Sequence, residues 1–336
     1  MSRRSWALFA AMCVIWGLPY LLVKVAVREL SPGTLVFART AVGGLVLLPV
    51  AVRQGGFKAA FGPVVRRWLP LAAFTVIEIA IPWLLISDAE HRLSSSLTGL
   101  LIAAVPLVGV VAVALTGGND GLDVTRVSGL LLGVIGVGFL VGLDLGELSI
   151  GSLFEMALVA VGYAVAPMIM ARYLSDLPSV PVVACSLLLT AVGYLPVAIV
   201  QRPQHVRGTV LASVVVLGLV CTAVAFVLFF ALINDIGPAR ATVITYVNPA
   251  IAVLLGVTFL GERFTAGMAV GFPLILAGSF LAARRRGEQP LGPSADVDAA
   301  VSSVAMTSVD ADGAVRSVER RRDDAGVVLV RRPPLD

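Results

Sequence analysis

The sequence predicts an all-α membrane protein of ten transmembrane helices arranged as two matching halves. Composition is the first observation: 58% of the 336 residues are hydrophobic and 14% are charged, whereas a soluble domain carries about 25% charged residues. The second is a series of long apolar runs between residues 6 and 283, each close to the ~20 residues that span a bilayer. The third is an echo between the two halves.

The echo is clearest in the last two apolar runs of each half. In both halves a proline lies within one run, and two glycines seven residues apart mark the next. A duplicated helical membrane body is typical of secondary transporters. The matched residues, first half then second, are Pro106 and Pro249, Gly129 and Gly271, Gly136 and Gly278, and Asp120 and Glu262.

The apolar runs fix the predicted helices, and the connections between them are short. The longest connection, 53–67, is basic, and the residues after 286 are rich in Ser, Asp, Gly, Pro and Arg without a helical period. That composition predicts a disordered tail. The predicted helices are 6–26, 34–52, 68–87, 95–116, 124–143, 152–173, 180–200, 209–233, 241–260 and 265–283.

This pattern divides the chain into a first five-helix repeat at 1–143, a second at 144–286 and a cytoplasmic tail at 287–336. With the N-terminus in the cytoplasm, Lys and Arg are about twice as frequent in the inside segments as in the outside ones, as the positive-inside rule requires. We therefore expect a multi-pass protein of the inner (plasma) membrane with both termini cytoplasmic. The basic residues lie at run ends, so no nucleic-acid partner is predicted.

The inventory of reactive residues disfavours an enzyme. The sequence has no phosphate-binding loop, no H-E-x-x-H and no G-x-S-x-G. The only histidines, His91 and His205, fall in predicted loops, and Cys13, Cys185 and Cys221 lack metal-binding spacing. We expect no metal, no cofactor and no catalytic residue.

Glu78 is the carboxylate placed most deeply within a predicted span. A charge at the bilayer centre costs at least ~2.5 kcal/mol, so it should face a cavity or a partner. Pro82 lies one turn later on the same face, followed by Trp83. Glu78 is either a site for a proton or a substrate amine, or one member of a structural ion pair. Arg39, deeper in its helix than the interfacial Lys24, is one candidate partner.

Other charged residues receive simpler interpretations. Asp88, Glu90 and Arg92 are predicted to form a solvated loop after the third helix. Glu155 is predicted to complement the dipole of the sixth helix from its first turn, with a role in the pathway as the alternative.

Four prolines at matched positions of the two halves predict helix breaks, Pro19 with Pro167 and Pro106 with Pro249. Interrupted helices at matched positions of two halves indicate a binding site, although a proline can also produce only a packing kink. Asn248, beside Pro249, could offer a donor and an acceptor to a solute. It could equally bond the carbonyls that Pro249 frees.

Glycines four residues apart mark the fifth and tenth helices and allow close helix approach. We expect these two helices either to pack together or to form the seam of a homodimer, away from the solute path. The pairs are Gly129/Gly133, Gly138/Gly142 and Gly267/Gly271.

Taken together, these residues resemble the EamA-type transporters of the drug/metabolite transporter superfamily, over residues 6 to 283. The order and spacing of the motifs carry the resemblance more than any single motif. They are Trp16-Gly17, Lys24, Ser31-Pro32, Arg39, Gly237-Pro238-Ala239, Asn248-Pro249, Leu260-Gly261-Glu262, and Gly271 to Gly278.

The resemblance implies two five-helix inverted repeats and export of small metabolites, amino acids or drugs without ATP. It also implies a cavity lined by the first, third, fourth, sixth, eighth and ninth helices. The third helix departs from the family pattern, so Glu78 is expected to set a local specificity. With Arg39 added, the residues predicted along the pathway are Trp16, Tyr20, Arg39, Glu78, Trp83, Tyr163 and Asn248.

The predicted function is secondary active export of a small solute (an amino acid, a metabolite or a drug-like compound) across the inner membrane by alternating access, with the lipid bilayer as the surrounding partner. Proton coupling through Glu78 is one alternative, and uncoupled exchange of the same solute class is the other. A membrane-embedded enzyme is the alternative from a different class.

Overall fold

The structure, a computed structural model, describes residues 2–53, 56–115, 124–142, 149–241, 243–283 and four short segments between 307 and 330. Helices dominate the part before residue 284. Their bounds are α1 Arg3–Ala26, α2 Pro32–Arg53, α3 Phe57–Arg66, α4 Trp68–Arg92, α5 Ser95–Leu115, α6 Val124–Gly142, α7 Ile150–Leu174, α8 Ser179–Val200, α9 Gly208–Ile236, α10 Ile244–Leu260 and α11 Ala266–Ala283. A single helical turn, Pro238–Ala241, precedes α10.

Each predicted span corresponds to a helix whose ends differ from the prediction by a few residues. Among the described residues, eight helices are long and apolar enough to cross a membrane, and α10 and α11 are apolar but shorter. A helix suits the bilayer because it satisfies its backbone polar groups internally. Large apolar side chains face outward, among them Leu131, Val134, Phe154, Leu254, Phe259 and Phe280.

The basic connection between α2 and α4 contains a helix that the sequence interpretation missed. Helix α3 buries Ala60, Phe61 and Val64 and leaves Phe57 exposed. Ten residues are too few to span a bilayer. The helical spacing of apolar side chains is also limited to these ten residues. The apolar content was therefore too brief to distinguish from a loop.

The helices pair in a regular way. Helix α6 packs along α11 and α2 packs along α8. Helix α1 contacts α9 and α10, while α7 contacts α4 and α5. Helix α2 also contacts α4 and α9, and α6 and α11 have most of their contacts with each other.

The α6–α11 contact is formed by glycines. A Cβ atom built on Gly271 would lie 2.7 Å from the Gly136 carbonyl oxygen and 2.9 Å from the Leu140 nitrogen. One built on Gly136 would lie 2.7 Å from the Ile275 nitrogen. The prediction that these two helices pack together is confirmed within one chain. The homodimer seam stays a prediction.

Residues 285–336 form a separate unit. Its described residues are four strands, β1 Thr307–Val309, β2 Val315–Ser317, β3 Arg320–Arg322 and β4 Val328–Val330, paired antiparallel as β1 with β2 and β3 with β4. Valine, which is β-branched and favours strands, occurs in three of these segments. The disordered tail at 287–336 stays a prediction, and Asp120 with its turn falls outside the described residues.

Substitutions in the α6–α11 seam should destabilise the fold. We expect Gly271→Ala to lower the free energy of unfolding by about 1–3 kcal/mol, since the added methyl overlaps backbone atoms of α6. The measurement is the melting temperature of detergent-purified protein by size-exclusion chromatography after heating. Gly138→Ala, where a Cβ meets no atom within 4 Å, is the matched control. Equal melting temperatures for the two variants would contradict the seam.

An ion pair outside the membrane should give pH-dependent stability. Arg67, between α3 and α4, donates Nη1 and Nη2 to the two carboxylate oxygens of Asp176 at 2.5 and 2.8 Å. These bonds lower the pKa of Asp176. A carboxyl with a lowered pKa contributes stability that is present above its unfolded pKa and lost as pH falls through its folded pKa.

We therefore expect Asp176→Asn to lower the melting temperature slightly at neutral pH, because exposed ion pairs are weak. The difference from the unmodified chain should vanish in acid. Asp235→Asn, which removes only a 3.5 Å contact with Arg4, serves as control. A deficit for Asp176→Asn that persists unchanged in acid would show that another effect is responsible.

Candidate functional site

Glu78 lies in a stretch of π-helix within α4. The π segment is Thr75–Ala80, and the N–H of Ile81 bonds to the carbonyl of Val76, five residues earlier. Pro82 explains this local geometry, because it has no N–H to donate to the carbonyl of Glu78 four residues before it. Such π segments often accompany functional sites. The sequence pattern gave no indication of the π segment.

The surroundings of Glu78 are closely packed on one side. Gly162 of α7 lies against the segment, where a Cβ would be 2.6 Å from the Ile77 carbonyl oxygen. Tyr194 of α8 donates its hydroxyl to the Ala80 carbonyl at 3.0 Å. Glu78 Oε2 is buried and has no hydrogen-bond partner among the described residues. The Tyr163 hydroxyl is close enough to interact electrostatically with this carboxylate.

Arg39 approaches the same interior from α2. Its guanidinium carbon lies 3.6 Å from the centre of the Trp83 ring, a cation–π contact. Its Nε donates to the Thr222 hydroxyl at 3.1 Å. Tyr20 and Tyr163 also lie within its electrostatic reach. Arg39 is half-buried. We refer to the group formed by Tyr20, Arg39, Glu78, Trp83 and Tyr163 as the recess.

Arg39 and Glu78 do not pair directly in this structure. No hydrogen bond or ion pair joins them among the described atoms, although both are close to Tyr163. The structural ion pair considered for Glu78 is therefore absent here for this partner. Each of the two groups instead interacts electrostatically with Tyr163.

A second π segment, Leu219–Val224 in α9, positions the partner of Arg39. Thr222 donates its hydroxyl to the carbonyl of Leu217, five residues earlier, at 2.8 Å, while it accepts from Arg39. Gly43 lets α2 approach this segment, since a Cβ there would lie 2.8 Å from Thr222 Cγ2. The apolar run of α9 gave no sequence signal for Thr222 apart from its polarity.

Aromatic side chains complete the wall of the recess. Trp16 of α1 lies 4.6 Å from Phe229 and 6.2 Å from Phe226 between ring centres. Trp83 belongs to an apolar cluster against which Tyr163 and Phe226 pack. The structure thus brings together Tyr20, Arg39, Glu78, Trp83 and Tyr163, with Trp16 at one side.

Asn248 has a different role from the other predicted residues. With its amide nitrogen turned toward α1, it donates to the Cys13 carbonyl at 3.2 Å and to the Ile244 carbonyl at 3.1 Å. Neither is the Thr245 carbonyl that Pro249 deprives of its usual donor. Asn248 links α10 to α1, beside the close approach of Gly17 to Ile251.

The predicted helix breaks are only partly present. Between Ile102 and Val105 the α-helix of α5 is interrupted by a turn, immediately before Pro106. Helices α1, α7 and α10 continue through Pro19, Pro167 and Pro249. Neighbouring helices and local adjustments can satisfy the backbone around a membrane proline, so the structure differs from the prediction at those three positions.

The end of α4 is helical, and Glu90 is buried there. The prediction of a solvated loop for Glu90 is wrong, since its side chain is 0% exposed. Lys24 of α1 donates Nζ to the carbonyls of Glu90 at 2.5 Å and Leu93 at 2.7 Å. This contact places a cation at the C-terminal end of α4, where the helix dipole favours it.

Across the same corner, Glu262 caps the start of α5. Its carboxylate accepts from the N–H groups of Ser95 at 2.7 Å and Ser96 at 2.9 Å, and from the Ser96 hydroxyl at 2.5 Å. An anion at a helix N-terminus complements the dipole and the unpaired N–H groups. The sequence analysis matched Glu262 only to Asp120 and missed this contact. We refer to residues 90–96 as the α4–α5 corner.

Arg92 organises the outer side of the corner. Its Nη2 donates to Asp88 at 2.7 Å and to both oxygens of Glu155 at 2.7 and 2.8 Å. Its Nε donates to the Ser152 hydroxyl at 2.8 Å. Glu155 therefore pairs with Arg92, which is more specific than the predicted dipole interaction.

The described residues contain no cluster of three or more metal-ligating side chains. An apolar crevice of about 410 Å³ lies between α5, α10 and α11, away from the charged residues. It has no charged side chain, unlike the recess. The crevice is lined by Leu100, Val253, Leu254, Val257, Phe264 and Phe272, with Ala250 and Met268.

The arrangement in the recess suits recognition of a small amphipathic solute. A cation and a carboxylate from different helices stand among aromatic rings, and each can bind a group of opposite charge.

Comparison with known proteins identifies curated relatives that are described as transporters. The curated relatives include an uncharacterized transporter of Archaeoglobus fulgidus, 21% identical over 292 residues, covering 84% of this chain and 100% of that protein. Another is the uncharacterized inner membrane transporter YedA of Escherichia coli K12, 24% identical over 288 residues, covering 77% and 83%. The chloroplastic WAT1-related protein At3g02690 of Arabidopsis thaliana is 24% identical over 293 residues, covering 82% and 69%.

A solved crystal structure has the same fold, with a TM-score of 0.61 at 21% identity, covering 84% of this chain and 97% of the other. The model of the EamA-like transporter family matches residues 4–142 and again residues 151–284. These two matches take in most of the chain and include every residue of the recess. The chain is a multi-pass membrane protein that belongs to the EamA-like transporter family.

Proposed function

We propose that this protein is a secondary transporter that exports a small amphipathic metabolite across the inner membrane by alternating access. The observation that carries the proposal is the pair Arg39 and Glu78, held without a mutual bond in an aromatic recess inside the helix bundle. Burying two charges is costly unless a function or a partner requires them. A solute with polar and apolar parts fits the available groups.

We further propose that residues 1–143 and 144–286 form two inverted five-helix repeats with ten spans. The helix contacts support this arrangement, because α2 packs on α8 and α6 on α11, each a pair of equivalent helices under the repeat. Two of the three described π segments also fall in equivalent helices, α4 and α9, while the third, Met170–Leu174, ends α7. The family model matches once in each half.

The proposed orientation places both termini and the 287–336 tail in the cytoplasm. The excess of Lys and Arg on that side supports it. The bacterial relative YedA carries the description of an inner membrane transporter, which supports the same membrane for this chain.

The main alternative is an uncoupled facilitator that exchanges the same class of solute. It uses the same recess and differs only in ignoring a pH gradient. Nothing in the described arrangement favours a membrane-embedded enzyme, since no side chain near the recess forms a nucleophile and base pair.

A metabolite comparison tests the proposal directly. Culture medium is analysed from cells that lack the protein, cells that overproduce it, and cells that overproduce Arg39→Gln. We expect a solute that is enriched only with the unmodified chain. Identical media in all three cases would overturn export, and enrichment by Arg39→Gln would remove the recess from the mechanism.

Glu78 should couple transport to protons. In proteoliposomes, we expect Glu78→Gln to abolish uptake of that solute driven by a pH gradient and to retain counterflow, since an amide cannot exchange a proton. Asp88→Asn, a change at an exposed carboxylate, should preserve both activities. Normal pH-driven uptake by Glu78→Gln would leave the uncoupled facilitator as the better description.

Arg39 should contribute to affinity through its planar guanidinium. We expect Arg39→Lys to weaken solute binding about tenfold, roughly 1.4 kcal/mol. An ammonium stacks less well on Trp83 than a guanidinium does, and it cannot form a planar bidentate contact with a carboxylate or phosphate. Quenching of tryptophan fluorescence during solute titration gives the dissociation constant. Arg28→Lys, at an exposed position between α1 and α2, is the control. An unchanged constant for Arg39→Lys would contradict direct binding.

A further inference from the structure

The α4–α5 corner carries a buried acid that the proposed transport mechanism does not use. Both carboxylate oxygens of Glu90 are buried and have no hydrogen-bond partner among the described residues. The side chain is fully covered. An ionised carboxylate without donors is strongly disfavoured in such surroundings, so this position needs a physical explanation.

Charged groups from several elements face Glu90. Lys24 and Tyr20 approach from α1, Arg39 from α2, and Glu262 from the link between α10 and α11. On the α7 side, Glu155 is held by Arg92 at the outer surface of the corner. Lys24 itself bonds the two carbonyls that end α4. Glu262 is fixed by the backbone N–H groups of α5.

The ligand that suits Glu90 is a proton. A bound Na⁺ or Ca²⁺ requires several oxygen ligands, yet the neighbouring carbonyls of Glu90 and Leu93 already accept from Lys24. The oxygens of Glu262 already accept from Ser95 and Ser96. A proton needs no additional oxygen ligands and no space.

We propose that Glu90 is a proton-binding site, separate from Glu78, that controls opening of the α4–α5 corner. With the proton bound, Glu90 is neutral, Lys24 remains on the α4 carbonyls, and the corner is closed as in this structure. On release, the O–H bond of Glu90 breaks and the proton passes to water. The new carboxylate attracts Lys24 strongly in low-dielectric surroundings.

The attraction removes Lys24 from the carbonyls and leaves the end of α4 without its cap. Glu262 adds to the effect, because its negative charge near ionised Glu90 increases the electrostatic attraction of Lys24 to this position. Since Lys24 lies on α1, Glu90 on α4 and Glu262 before α11, the change acts on elements of both proposed halves. Proton binding and opening of the corner do not depend on the proposed function. Only the role of this opening in transport rests on it.

Infrared spectroscopy tests proton binding without a transport substrate. Difference spectra of the detergent-purified chain between acid and alkaline pH report protonated carboxyl groups. We expect Glu90→Gln to lose one buried-carboxyl component that Asp88→Asn and Glu78→Gln both retain. If Glu90→Gln keeps every component of the unmodified chain, Glu90 does not bind a proton reversibly and the proposal fails.

Thiol labelling tests the opening itself. Ser95→Cys, at a fully buried position of the corner, is introduced with Cys13, Cys185 and Cys221 changed to alanine. Labelling by a membrane-impermeant maleimide is divided at each pH by the rate in denaturant, which corrects for the thiolate fraction. We expect the corrected rate to rise with pH in this parent and in its Asp88→Asn form.

Two further variants should lose the pH dependence in opposite directions. Glu90→Gln should label slowly at every pH, and Lys24→Gln should label rapidly at every pH. A parent-like pH dependence in Glu90→Gln overturns the proposal. If Glu90→Gln does not elute as a single species, Glu90→Asp replaces it, and a midpoint unchanged from the parent in both measurements then overturns the proposal in the same way. Neither measurement involves transport, so their failure is distinct from failure of the proposed export.

Discussion

The constraint behind most polar contacts in this bundle is that backbone groups inside a membrane need partners within the protein. Wherever a helix ends or changes register, a side chain from another helix supplies one. Lys24 binds the carbonyls at the end of α4, and Glu262 binds the N–H groups at the start of α5. Tyr194 reaches the carbonyl of Ala80 at the end of the π segment. Several charges that look functional in the sequence are therefore first of all backbone partners.

Arg39 and Glu78 differ from these residues because backbone demand does not account for them. Arg39 donates one nitrogen to Thr222 and places its guanidinium over the Trp83 ring. Glu78 has one carboxylate oxygen without a hydrogen-bond partner among the described residues. Glu78 lies in the π segment that precedes Pro82 in α4, and Thr222, which accepts from Arg39, lies in the π segment of α9. The recess thus joins a permanently charged cation and a titratable acid through an aromatic wall, which is the chemical basis of the proposed transport.

Helix positions were readily predicted, because an apolar run of about twenty residues has few alternatives to a membrane helix. The α6–α11 contact was equally accessible, since glycines four apart permit one type of close packing. Glu90, by contrast, was placed in solvent because nothing local distinguishes a buried acid near a helix end from an exposed one. The partners of Glu262 and Arg39 lie 166 and 183 residues away, so no local pattern encodes them. The prolines predicted helix breaks only in part, because neighbouring helices can supply hydrogen-bond partners for the backbone groups that a proline leaves unpaired.

The glycine contact between α6 and α11 also bears on how such a chain can diverge. At Gly136 and Gly271 even a methyl group meets backbone atoms, so nearly every substitution there is penalised regardless of which solute is carried. The recess is formed instead by side chains, which can be exchanged one at a time. Under the proposed function, helix packing and solute selectivity are therefore encoded in different helices. Substitutions in α2, α4 and α7 could then change which solute is transported, while the glycine contact between α6 and α11 stays the same.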